Sequence, residues 1–153
     1  MIEVVPGKEV LRMLAMVALR PQLFSELTLC SPFIDEKASD RLRTVVEKAV
    51  RAGCAVSIVT RSTSADRVAH ACSRVRRAVR LVYRDDVHAK AYVVQARPGG
   101  GPSEAIVTSA NLTHAGFGGN LEMGVRIRTS SHNGRRLFEQ VRRNVRDLSN
   151  HLN

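Results

Sequence analysis

The sequence predicts an α/β domain, a mixed central β-sheet flanked by helices, and three observations lead there. Segments with helical and with strand periodicity alternate along the chain. The strand-like segments are short, among them the buried run Leu27–Phe33 and the β-branched run Ala55–Thr60. The 153 residues contain no internal repeat and no linker-like stretch, which suits one domain over residues 1–153 with one core. Hydrophobic content of 44% and charged content of 25% are ordinary for a globular chain. Aromatic content of 4% with no Trp leaves the core to Val, Leu, Ile and Ala.

The first helix is expected over Lys8–Arg20, where Val10, Leu11, Leu14, Val17 and Ala18 recur at helical spacing. Leu27–Phe33 reads as a short buried strand. Asp35 is placed to cap a helix of about sixteen residues, with Leu42, Val45, Val46, Ala49 and Val50 inward and Gly53 at its end. Ala55–Thr60 is a β-branched strand. Ser62–Ser64 can cap a third helix with Val68, Cys72 and Val75 inward. Val79–Tyr83 is the next strand. Strands Ala89–Gln95 and Ala105–Thr108 flank the loop-like run RPGGGPS, and Asn120–Arg128 follows a Gly-rich turn. The last helix, about Arg135–Leu152, carries a stripe of Phe138, Val141, Val145, Leu148 and Leu152. Arg135, Arg136, Arg142, Arg143 and Arg146 lie mostly off that stripe, as a solvated basic face or a phosphate-contacting one.

Lys and Arg number 24 against 14 Asp and Glu, a net charge of +10. Such a field attracts polyanions, so nucleic acid or anionic lipid is the natural partner class. Cys30, Cys54 and Cys72 are odd in number, widely spaced and set in apolar patterns, which fits buried thiols in a reducing compartment and supports neither a disulfide framework nor a zinc site. The N-terminal apolar residues are interrupted by Lys8, Glu9, Arg12 and Arg20, and no run approaches the ~18 residues of a membrane span, so a cytoplasmic location is expected.

Three elements between Val87 and Val125 carry chemistry. In Val87-His88-Ala89-Lys90 an imidazole and a cation stand two residues apart, which in a strand puts them on one side. Lysine can neutralise non-bridging phosphate oxygens while histidine attacks phosphorus or moves a proton. Thr108-Ser109-Ala110-Asn111-Leu112-Thr113 follows a strand and offers neutral donors to phosphate oxygens, or equally a helix cap. Glu122, in Asn120-Leu121-Glu122-Met123, is a carboxylate that needs a partner if buried. A histidine would suit it, because a carboxylate on one ring nitrogen orients the other.

Together these elements resemble the phospholipase D superfamily. Its signature is H-x-K, four residues and D, then G-S-x-N, then a carboxylate in the following strand. Here the parts are His88-Ala-Lys90, Thr108-Ser109-Ala110-Asn111 and Asn120-Leu-Glu122. The resemblance implies a metal-independent phosphodiesterase, without cofactor, that works through a phosphohistidine. His88, Lys90 and Glu122 would be catalytic, with Glu122 orienting a histidine, and Lys90, Ser109 and Asn111 would hold the phosphate. Family sites use two H-x-K motifs, and this chain has one, which resembles the small bacterial endonucleases that share one site across a homodimer. An isologous interface would then bring both copies of His88 and Lys90 to the axis.

Two positions depart from the signature: Gln95 stands where Asp is expected, and Thr108 replaces the Gly. The resemblance extends to metal-independent restriction enzymes and tyrosyl-DNA phosphodiesterases that lack that Asp. The short basic chain favours nucleic acid, DNA first, over lipid, with Arg61, Arg84 and Arg126 as candidate phosphate contacts. The SANLT and NLE runs are also similar to superfamily members tied to restriction and phage defence, which adds a larger defence partner to the implied partners. Two alternatives stand beside the nuclease: a catalytically inactive nucleic-acid-binding or dimerisation module, and a phospholipid phosphodiesterase.

Overall fold

A computed structural model describes residues 1–150. In chain order the elements are β1 (Ile2–Pro6), α1 (Lys8–Leu19), β2 (Phe24–Cys30), α2 (Glu36–Arg51), β3 (Ala55–Thr60), α3 (Ala65–Cys72) and β4 (Val79–Tyr83). Then follow β5 (Ala91–Ala96), β6 (Glu104–Thr108), β7 (Met123–Arg128) and α4 (His132–Asn150). The strands form one sheet in the order β1-β7-β6-β5-β2-β3-β4. Strands β2, β3 and β4 are parallel neighbours, and every other pairing is antiparallel, so the sheet is mixed as the sequence predicts.

Side-chain alternation divides the core into two layers. On one face Leu27, Leu29, Val56, Ile58, Tyr92, Val94 and Ile106 pack under α1, α2 and α3, which contribute Val10, Met13, Leu14, Val17, Leu42, Val46, Val68 and Ala71. On the other face Cys30, Val59, Val87 and Ala91 meet Val145 and Leu148, while Val93, Ala105 and Ile127 meet Phe138. That second face has α4 as its helical cover. Full burial of a residue such as Leu29 contributes about 1.5–3 kcal/mol over leaving it exposed.

Asp35 caps α2 as expected, its Oδ1 accepting from the Ala38 N–H at 2.8 Å. Gly53 follows α2 with φ +77°, the left-handed conformation that glycine adopts without penalty. Ser64 departs from the expected cap: buried, it accepts from the Ile34 N–H at 3.1 Å, while Ser62 begins a single 3-10 turn.

Several boundaries differ from the sequence reading. Strand β1 was not expected, and Val4-Val5 builds it by antiparallel pairing with β7. Strand β2 begins and ends three residues early. Glu26 is tolerated inside it because Arg142 of α4 reaches over at 2.7 Å, and Pro32 lacks the N–H a central strand needs. Strand β7 starts at Met123, so Glu122 lies just before the strand rather than within it. The α4 stripe is buried at Phe138 and Val145 and half-buried at Val141 and Leu148, while Leu152 lies outside the described residues. No described helix is long and apolar enough to cross a membrane.

Candidate active site

Antiparallel pairing gathers the candidate residues at one rim of the sheet. Cys30 at the end of β2 faces Ala91 at the start of β5, Ala91 faces Val107 near the end of β6, and Thr108 faces Gly124 near the start of β7. The segments that leave or enter those strands therefore share one edge: residues 31–34, 84–90, 109–113 and 120–122. All five candidates, His88, Lys90, Ser109, Asn111 and Glu122, fall in these segments.

His88 and Lys90 precede β5 instead of lying in it, so strand alternation is not what relates them. The Lys90 ammonium folds back and donates to the His88 carbonyl at 3.1 Å, which couples the two residues directly. His88 is exposed and Lys90 half-buried. The nearby Cys30 thiol donates to the Ala89 carbonyl at 3.6 Å. Burial pushes this thiol up to about 11 against the opposing pull of the Lys90 charge.

The loop after β6 is tied down from several sides. The Thr108 N–H donates to Lys90 O at 3.0 Å, carrying the ladder past the formal strand. Buried Tyr92 donates its hydroxyl to Ala110 O at 2.8 Å. Desolvation holds this phenol well above its ordinary value. Ser31, fully buried at the end of β2, accepts from the Leu112 N–H at 3.0 Å, and its hydroxyl lies 2.9 Å from Phe33 O and 3.4 Å from Asn111 Oδ1. One serine thus anchors the asparagine's end of the loop to the central strand. No sequence pattern singled Ser31 out, because its role depends on a partner 80 residues away.

Thr108, standing where the signature has glycine, uses its side chain for loop geometry. Its Oγ1 donates to Met123 O at 2.9 Å and accepts from the Ala110 N–H at 3.1 Å. Across the ladder sits Gly124, where an added Cβ would lie 2.6 Å from the Thr108 Cβ and 2.7 Å from Val107 O. The small residue of this pair therefore stands on β7.

Glu122 accepts a short hydrogen bond from the Ser109 hydroxyl, and its other oxygen lies 3.4 Å from Asn120 Nδ2. In the single chain its partner is therefore serine, whereas His88 faces Arg61. Arg61 leaves β3 and donates from Nε to Val87 O at 2.9 Å, with its Nη2 2.9 and 3.1 Å from the two ring nitrogens of His88. Of the three arginines expected near phosphate, Arg61 is the one at His88. Arg84 is paired with Asp86 at 2.6 Å, and Arg126 is held between Glu3 and Glu9 on β1 and α1.

Gln95 lies outside this rim. It is five residues beyond Lys90 along β5, ~17 Å at about 3.3 Å per residue. In register it faces Glu26, the carboxylate that receives Arg142 from α4. The negative charge at this depth of the sheet stands on β2, one strand away from the signature position. Gln95 itself is left with a buried, unpartnered Oε1.

Beside the rim, the second face is uncovered at its β1–β7–β6 corner. Val4, Met123 and Leu121 are 73%, 71% and 106% exposed, and Val107 and Val125 join them. Val4, Val5, Pro6, Leu121, Glu122 and Met123 line a groove of about 570 Å³ there, so the apolar corner is continuous with Glu122. Among the described residues, no three His, Cys, Asp or Glu side chains form a metal-ligand set.

A mixed α/β sheet with an exposed histidine and a half-buried lysine at the mouth of a strand defines the architectural class. The chain belongs to the phospholipase D-like family: the profile described as cardiolipin synthase, PLD-like domain, matches residues 22–147. Its fold is similar to that of Nuc, a phospholipase D family member from Salmonella typhimurium. The TM-score is 0.66 at 16% identity, over 98% of this chain and 94% of that one. It is also similar to part of polyphosphate kinase from Porphyromonas gingivalis (TM-score 0.61, 20% identity, 92% of this chain), of which it spans about a quarter, 26%. TrmBL2, an archaeal chromatin protein that binds DNA, is a third likeness, with TM-score 0.56 and 18% identity over 91% of this chain and 49% of that one. No curated protein sequence matches the chain.

Proposed function

We propose that the protein is a metal-independent phosphodiesterase acting on nucleic acid, DNA first, with one active site formed by two copies of the chain. The observation that carries this reading is the convergence of His88, Lys90, Ser109, Asn111 and Glu122 at one exposed rim, beside an uncovered apolar sheet corner. A patch of that kind on a small protein marks a contact surface. A second copy is the occupant that would bring the second H-x-K pair the family's chemistry requires.

In this reading a ring nitrogen of one His88 attacks phosphorus. The bond to the leaving oxygen breaks, and the partner's His88 gives that oxygen a proton. The phosphohistidine then loses its P–N bond to water, whose proton returns to the partner's His88. Lys90, Ser109 and Asn111 from both copies stabilise charge on the phosphoryl oxygens. Glu122, which holds Ser109 in the single chain, orients a histidine once the copies meet. The net charge of +10 supplies the attraction for a polyanion. Gln95, ~17 Å along the strand, does not touch this chemistry, which favours a working site over a silent binding module.

The test incubates the purified chain in EDTA with plasmid, single-stranded DNA, RNA and phosphatidylglycerol vesicles, beside His88→Ala. Cleavage of a polynucleotide, lower by at least about a thousandfold in the variant, is the expected result. Salt-sensitive binding without turnover would replace the proposal with the binding module, and headgroup release from vesicles would replace it with a lipid enzyme.

A further inference from the structure

The contact between Arg61 and His88 has a particular geometry. Nη2 lies 3.1 Å from Nδ1 and 2.9 Å from Nε2. The two ring nitrogens flank a single ring carbon, so an atom nearly equidistant from both cannot lie in the ring plane without overlapping that carbon or the opposite edge. It must sit over the ring face. The guanidinium Nη2 thus meets imidazole as a cation over a π-surface, outside the in-plane directions of both ring nitrogens. Arg61 is itself fixed on two other sides: Nε donates to Val87 O at 2.9 Å, and Cζ stands 5.2 Å from the centre of the Phe33 ring.

Resting on the phosphodiesterase reading, we infer that Arg61 is a positioning residue for the His88 of its own chain, setting the plane of the ring so that one nitrogen is aimed at phosphorus. It acts on the ring face, where Glu122 of the other copy would act on a ring nitrogen. Lysine cannot reproduce this contact. It has a single ammonium nitrogen, so it lacks the second, fixed donor that reaches Val87 O while Nη2 stands over the ring. This contact would give an exposed histidine, outside any regular strand, one orientation.

Two readouts on the full chain test this, comparing wild type with Arg61→Ala and Arg61→Lys. The first is steady-state hydrolysis of bis(4-nitrophenyl) phosphate in EDTA, a substrate too small to draw on polymer contacts. A misaimed nucleophile is expected to lower kcat about a hundredfold in both variants, with KM changing less than threefold. The second is carbon-13 relaxation of the His88 ring, assigned with His88→Ala, which is expected to show an ordered ring in wild type and a mobile one in both variants. An equally ordered ring in Arg61→Ala would overturn the inference. So would a raised KM with kcat intact, which describes a phosphate ligand instead. Wild-type protein without turnover would sink the phosphodiesterase reading, and the ring measurement would still decide the role of Arg61.

Discussion

The two ends of the sheet's second face are treated differently. Where β5, β2 and β3 lie, α4 crosses with Phe138, Val145 and Leu148 and seals Cys30, Val59 and Val93. At the rim end of β1, β7 and β6, beyond the Ala105 and Ile127 that Phe138 covers, no described helix arrives, and Val4, Met123 and Val125 stay exposed. Both regions are built from β-branched and apolar residues in the same alternation. The difference teaches that residue type sets which face is apolar, whereas the path of one helix decides which part of that face is left for another molecule.

Three substitutions or measurements sharpen the contrast. Leu29→Ala removes a fully buried side chain under α1 and α2, and should cost about 2–5 kcal/mol in urea unfolding, since the surrounding layer cannot close the cavity. Val4→Asp alters the open corner and replaces none of the candidate site residues. Unfolding of the single chain should change by about 1 kcal/mol or less, while sedimentation shows a shift from dimer to monomer with loss of turnover. A dimer that survives Val4→Asp would move the interface elsewhere. The smallest effect concerns the thiols. Cys30, Cys54 and Cys72 are each pushed up to about 11 by burial, from an ordinary 9.0. The folded state holds those protons where the unfolded chain releases them, so stability is full below pH 9 and declines between about 9 and 11. At pH 8, a thiol reagent should label the folded protein at none of the three, Cys30 beneath α4 included.

Much of this layout was legible in the sequence. Asp35, the α2 stripe and the cysteines behave as their patterns indicate, because each depends on neighbours within a turn or two or on simple burial. The H-x-K, SANLT and NLE runs reach one rim through the pairing order of four strands. Less legible was whatever depends on distant partners. Strand β1 exists by pairing with β7, more than 100 residues on. Glu26 can sit in a central strand because Arg142 of α4 covers it. Arg61, Arg84 and Arg126 are indistinguishable as letters, and only their partners separate them: a histidine, an adjacent aspartate and a pair of glutamates.

The fastening at Ser31 also bears on how the protein fails. The rim loop is joined to the sheet by polar contacts, Leu112 to Ser31 and Tyr92 to Ala110, and also by Leu112 and Phe117, which are buried in the same apolar core as the layer under α1 and α2. Segments that share one core tend to open as one cooperative unit. Loosening the loop would expose Leu112 and Phe117 and open the layer under α1 as well, so the loop acts as a keystone and the chemistry at the rim is expected to be lost together with the fold.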